Sequence, residues 1–300
     1  MNWTLESGSR HRVTRIHLRE VLAIAAVAAA AASAAAQPSV DHVLQPATVN
    51  IDTLRQTAGP AWLRGASRHF IVYREQPVSA TSLQSTIDSL ESAWVAATTL
   101  LDQPVPETPR AYVFVTSSRT RFAGVVAPQV KGLTMRLRTG DDLIVLVQND
   151  SVRAYSRHEV MHLVASRGWG RASHLWLAEG LATFADGQCQ TSTTLAVGRD
   201  LLAARPRLRI QDIDENFLTM SLTERGTAYV FAGTLVDYLW SSRGRDGVRR
   251  LWTGRDSLID VGVLAGVAGE ETAAWRAYVT RKAGVTPGLP PSAVQRAGCG

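Results

Sequence analysis

Between Thr81 and Leu101, the residues Leu83, Ile87, Leu90, Trp94, Ala97 and Leu101 recur at three- to four-residue spacing, the period of a helix that buries one face. Nearly continuous apolar runs flank it. His69-Phe70-Ile71-Val72-Tyr73 precedes it, and Ala111-Tyr112-Val113-Phe114-Val115 follows the breakers Pro104, Pro106 and Pro109; each has the length of a buried strand. Leu133 to Leu137 and Leu143 to Val147, joined through Arg138-Thr139-Gly140-Asp141-Asp142, predict a hairpin. The helical pattern returns from about Ser151 to Ser166, in a second segment around Trp176 to Phe184, and again beyond Gly187. Tyr229, Phe231, Leu235, Tyr238 and Leu239 fall on a helix over 223–242, and Trp275 and Tyr278 on another over 270–283. Residues 37–66 show little period and predict an extended or loosely packed leader, and the chain from Gly284 is rich in proline and glycine and predicts an irregular tail. Strands gathered early and helices gathered late predict an α+β chain with a small sheet and a mainly helical C-terminal part.

Candidate chemistry lies on the two middle helices. His158-Glu159-Val160-Met161-His162 sets two imidazoles four residues apart, on one face of a helix, where both can reach one metal ion. Glu159 lies about 100° round from His158, so its carboxylate falls beside that ion and can take a proton from a metal-bound water. Glu179, in Trp176-Leu177-Ala178-Glu179-Gly180-Leu181-Ala182, is an acid inside an apolar run, where an unpaired carboxylate is costly to bury and a metal partner removes the cost. Zinc suits two histidines, one carboxylate and an open fourth position. His174 is the alternative third ligand, but it stands at the start of the second helix, where a surface, helix-start or substrate-facing role also fits.

His-Glu-x-x-His on one helix, with Glu179-Gly180-Leu181-Ala182-Thr183-Phe184 on the next, resembles the gluzincin metallopeptidases, in particular the compact peptidase MA-like domains of bacterial extracytoplasmic proteins. The second segment is also similar to that of the aminopeptidase N-like family, but the chain lacks the Gly-x-Met-x-Asn element that family uses for a free amino terminus. A metzincin needs glycine at 165 and histidine at 168, where this chain has Ala165 and Gly168. The resemblance covers residues 68–283 and implies a zincin-like fold with an edge strand over the cleft; Gly132 to Leu137 is the candidate for pairing with substrate backbone, or is simply a sheet edge. It implies one zinc ion on His158, His162 and Glu179, and Glu159 as general base. It also implies Tyr229 as oxyanion donor, or else a core tyrosine with its hydroxyl bonded locally. Thr183 or Asp186 can supply the acceptor that a metal-bound histidine needs for its other ring nitrogen. Arg153 and Arg157 flank the motif and can attract acidic substrate groups or be plain solvated positions. The expected activity is peptide-bond hydrolysis on a peptide or protein substrate. The alternatives are a non-catalytic extracytoplasmic binding or assembly protein on the same scaffold, and a zinc hydrolase of a non-peptide amide or ester.

The amino terminus has the pattern of a secretory signal: Arg10, Arg12, Arg15 and Arg19, then an uncharged, alanine-rich run of 16 residues from Val21 to Ala36 that ends in a small-residue cleavage site. That run falls short of the ~20 strongly apolar residues of a membrane span, so cleavage after Ala36 is expected, with membrane attachment only if it stays. The expected division is a signal at 1–36, a leader at 37–67, the peptidase-like domain at 68–283 and a tail at 284–300, in an extracytoplasmic location. Cys189 and Cys299 would then meet an oxidising space and either pair or remain thiols. The net charge of +6 falls to +4 without the signal's four arginines and two glutamates. The remaining arginines are scattered, with no basic stripe interleaved with aromatics, so nucleic acid is not an expected partner.

Overall fold

The computed structural model describes residues 51–58, 62–75, 80–118, 131–149, 156–258 and 270–286, with 288, 289 and 294. The fold is α+β: one five-stranded mixed sheet, then a predominantly helical C-terminal half. Helix α1 (Ile51–Ala58) leads into β1 (Trp62–Ala66) and β2 (Phe70–Glu75), and α2 (Ala80–Leu101) crosses to β3 (Ala111–Thr116). The hairpin β4 (Gly132–Arg136) and β5 (Asp142–Val147) completes the sheet, whose spatial order is β1-β2-β3-β5-β4. The β2–β3 and β3–β5 pairs are parallel; the outer pairs, β1–β2 and β4–β5, are antiparallel.

Both faces of the sheet are covered, which is why its inner strands read as unbroken apolar runs. Val113, Val115, Ile144 and Leu146 face a large core shared with the helices, whereas Phe114, Leu143 and Val145 face a smaller one with Tyr73, Trp62 and α1. The predicted stripe of α2 is buried in the first core, from Ile87 through Leu90, Trp94 and Ala97 to Leu101.

Ordered structure begins earlier than the pattern predicts. Within the expected leader, Ile51 and Leu54 of α1 and Trp62 of β1 are buried, and β1 pairs with β2 along its length. In β1 the alternating burial comes from Trp62 followed by Leu63, Arg64 and Gly65, too few apolar residues to announce a strand. The expected signal at 1–36 and the first part of the leader lie outside the described residues.

After the sheet come α3 (Ser156–Trp169), α4 (Leu175–Asp186), a two-stranded ribbon of β6 (Gln188–Cys189) and β7 (Ser192–Thr193), then α5 (Thr194–Ala204), α6 (Ile210–Thr223), α7 (Arg225–Trp252) and α8 (Glu270–Ala283). Helix α7 outruns its predicted end and contains one non-helical residue, Gly244 (φ 69°, ψ 176°). Among the described residues no helix is long and apolar enough to cross a membrane. Cys189 is fully buried and disulfide-bonded; the chain's other cysteine, Cys299, lies outside the described residues.

Candidate metal centre

Helix α3 carries the His-Glu-x-x-His run in its first turns and is buried almost all round, with Val160, Met161, Leu163 and Val164 fully enclosed. Glu159 in its first turn and Arg167 in its last suit the helix dipole. Helix α4 lies beside it, and Gly180 sets how closely α4 meets α7: a Cβ there would stand 2.7 Å from the carbonyl oxygen of Ala232, a backbone atom that cannot swing away. The two helices therefore cross nearly in backbone contact, which brings Glu179 of α4 and Tyr229 of α7 to the same side of α3.

Three side chains converge there. His158 Nε2 lies 3.2 Å from Glu179 Oε2, His162 Nε2 lies 3.1 Å from His158 Nε2, and His162 Nε2 lies 3.3 Å from Glu179 Oε2. These three atoms form a nearly equilateral triangle. Among the described residues this is the one group of three or more His, Cys, Asp or Glu side chains close enough to hold a metal ion. Burial opposes charge on Glu179, but the facing His162 and His158 outweigh it and hold that carboxyl far below the usual carboxylate range. At His162 burial likewise opposes the proton and is outweighed, by the charge and hydrogen bond of Glu179 and by Glu159, so its pKa is raised.

Glu159 lies with its carboxylate against strand β4. It is buried, and Thr134 Oγ1 stands 2.8 Å from its Oε2 and 2.9 Å from its backbone carbonyl. Burial raises the Glu159 pKa, and the nearby Glu179 charge adds to that; His158, His162 and the Thr134 hydroxyl only partly offset it. Gly132 makes room for this carboxylate, since a Cβ there would lie 2.3 Å from Oε1. Strand β4 is a sheet edge, as its sequence predicts, and among the described residues β5 is its only neighbour. Sequence reasoning missed both Gly132 and Thr134 as partners of Glu159; only the closeness of the hairpin to the helix in sequence hinted at them.

Tyr229 also reaches the site. Its ring stands edge-on to that of His158 with centroids 6.1 Å apart, and the Glu179 charge acts on its hydroxyl. Burial, then the Glu179 charge, raises its pKa well above the ordinary phenol value.

Other expected participants stand elsewhere. His174 occupies the N-cap position of α4, with Nδ1 2.8 Å from Ser173 Oγ, and is not part of the cluster. Thr183 is buried, but its hydroxyl has no hydrogen-bond partner and its methyl packs toward Gly233, so it does not hold a histidine in place. Its position reflects packing between α4 and α7. Asp186 ends α4, seven residues or about 10 Å along the helix from Glu179. His158 Nδ1 is buried without a hydrogen-bond partner among the described residues. Arg157 is exposed and lines a shallow groove with Phe184 and the alanines of α2, while Arg153 lies outside the described residues. No protein-family model matches the chain, and no curated protein matches it.

Proposed function

We propose that the chain is a zinc-dependent hydrolase of peptide bonds, with His158, His162 and Glu179 as ligands and a zincin-like arrangement of edge strand, motif helix and glutamate helix. The observation that carries this reading is the triangle of Nε2, Nε2 and Oε2 atoms with sides of 3.1 to 3.3 Å. Ligands about 2.0–2.1 Å from a tetrahedral zinc lie roughly 3.3 Å from one another, so the three atoms have the spacing of one face of that polyhedron. When bound, zinc supplies a Lewis acid and lowers the pKa of water toward neutrality.

The rest of the chemistry belongs to side chains of the chain. Glu159 sits beside the triangle with its carboxyl pKa raised, suited to taking a proton from an attacking water and passing it to the leaving amine nitrogen. The Thr134 hydroxyl holds that carboxylate against β4. Tyr229, beside His158, can donate its hydroxyl hydrogen to the oxygen on which negative charge develops. The open edge of β4 offers main-chain donors and acceptors to an extended substrate. A disulfide at Cys189 fits an oxidising, extracytoplasmic compartment.

The base separates this reading from that of a binding protein on the same scaffold, because a binding protein has no chemical use for a carboxylate buried next to the ligands. The test is Glu159→Gln, assayed against a broad peptide library. We expect cleavage to fall by about 10²- to 10⁴-fold while one zinc per chain is retained. Cleavage at the parent rate removes Glu159 from the mechanism. If the zinc-loaded parent leaves every peptide intact but opens non-peptide amides or esters, the substrate class changes.

A further inference from the structure

Arg225, the first residue of α7, stands one helical turn before Tyr229, so the two side chains share a face of that helix. The Tyr229 ring lies against His158 and the Arg225 charge acts on the Tyr229 hydroxyl, so the arginine stands near the same cluster. It is only partly exposed, yet among the described residues it makes no ion pair or hydrogen bond. Every other described arginine that is buried or half-buried has a partner. Arg167 pairs with Asp142, Arg199 with Asp200, Arg205 with Glu224 and Arg245 with Asp102; Arg74 reaches Thr86 and Gln148, and Arg276 donates to the carbonyls of Leu202, Arg205 and Leu208. The adjacent acid is engaged elsewhere, Glu224 with Arg205, and so are Asp214, which accepts from the Trp176 indole, and Asp237, which pairs with Lys282.

A partly desolvated guanidinium without a counter-charge is unfavourable, and a planar carboxylate accepting two of its N–H bonds removes that cost. The Arg225 charge reaches the chemistry, because it acts on the Tyr229 phenol against the effects of burial and Glu179. We propose that Arg225 is a specificity-determining residue that recognises a carboxylate on the substrate. The site then favours peptides with a free C-terminal carboxylate or an acidic side chain near the bond to be cleaved. This rests on the peptidase reading above.

The test is binding, measured apart from turnover. Fluorescein-labelled hexapeptides of one apolar sequence are prepared with a free C-terminal carboxylate, with a C-terminal amide, and as amides carrying a single glutamate at each position. Their affinities for the zinc-loaded full chain carrying Glu159→Gln are read by fluorescence anisotropy. A carboxylate in one of these arms is expected to tighten binding about tenfold over the plain amide, and the arm that does so identifies its source. Adding Arg225→Gln should bring that ratio to near one, and Arg225→Lys should keep part of it, with zinc content and circular dichroism verifying the fold. Equal binding of all peptides, no binding at all, or a ratio that survives Arg225→Gln overturns the proposal. Carboxylate discrimination in a chain whose parent cleaves no peptide would uphold Arg225 and refute the peptidase reading alone.

Discussion

The two ends of α3 both bury charge, and they do so in opposite ways. At the C-terminal end Arg167 is closed: its guanidinium meets Asp142 at 2.7 Å and donates to the carbonyls of Pro106 and Pro109, and both partners of the ion pair are 2 % exposed. Its charge also lies over the ring of Trp94, against which His69 stacks. At the N-terminal end the polar atoms crowd toward one point instead of pairing off. Two ring nitrogens and a carboxylate oxygen face each other, His158 Nδ1 has no hydrogen-bond partner among the described residues, and Glu159 bears a raised pKa. A closed cluster holds elements together, whereas the open one, on the reading proposed above, is arranged to take an ion at some expense in stability.

Breaking the closed end should have the largest effect on folding. Arg167→Met strands the Asp142 carboxylate, with only the largely exposed Arg136 at 3.4 Å to compensate, and frees two proline carbonyls. A loss of about 3–5 kcal/mol is expected in urea unfolding, with zinc binding per folded chain unchanged. A near-neutral result would mean that the two ends are not different in kind.

At the open end the pattern should invert. Glu159→Gln removes a buried carboxylate whose charged form the fold disfavours, so the melting temperature of the zinc-free chain should hold or rise by a few degrees. A clear drop would place Glu159 among the structural charges. Gly132→Ala is subtler, since the added methyl must push Glu159 off its seat on Thr134. Cleavage should fall roughly tenfold or more with zinc retained, because a misplacement of about an ångström at a reacting group is costly.

The smallest effect concerns a second closed pair. Glu91 accepts from the His69 ring at 2.6 Å and from the His69 amide at 3.0 Å. Burial alone would raise its pKa, but these bonds outweigh burial and lower it. A carboxyl with a lowered folded-state pKa stabilises the protein above the ordinary carboxylate range, and that contribution is lost as pH falls through the lowered value. The stability gap between the parent and Glu91→Gln should therefore be present at neutral pH and close in acid. A gap independent of pH would show that the pair acts only through packing.

The helical spacing of His158 and His162, the apolar surroundings of Glu179 and the stripe of α2 were legible because each depends on neighbours in sequence. Likewise, β2, β3 and the β4–β5 hairpin followed from short apolar runs bounded by breakers. The contacts that complete the site span the chain instead: Thr134 and Gly132 against Glu159, Gly180 against Ala232, and Arg225 standing without a counter-charge among the described residues. No local period marks a glycine whose importance is the carboxylate or carbonyl that approaches it. Strand β1 escaped notice for a related reason, since its place in the sheet comes from pairing with β2 and from Trp62 packing on Phe114, not from its own composition.

The central claim is that three side chains from α3 and α4 hold one divalent cation. Zinc content by mass spectrometry, with a calorimetric titration of the zinc-free full chain, tests it in the parent and in Glu179→Ala and His162→Ala. The account predicts one zinc per parent chain and a loss of at least about a hundredfold in affinity in each variant, with folding retained. A folded parent that takes up no stoichiometric zinc, or variants that bind it as tightly as the parent, would contradict the account.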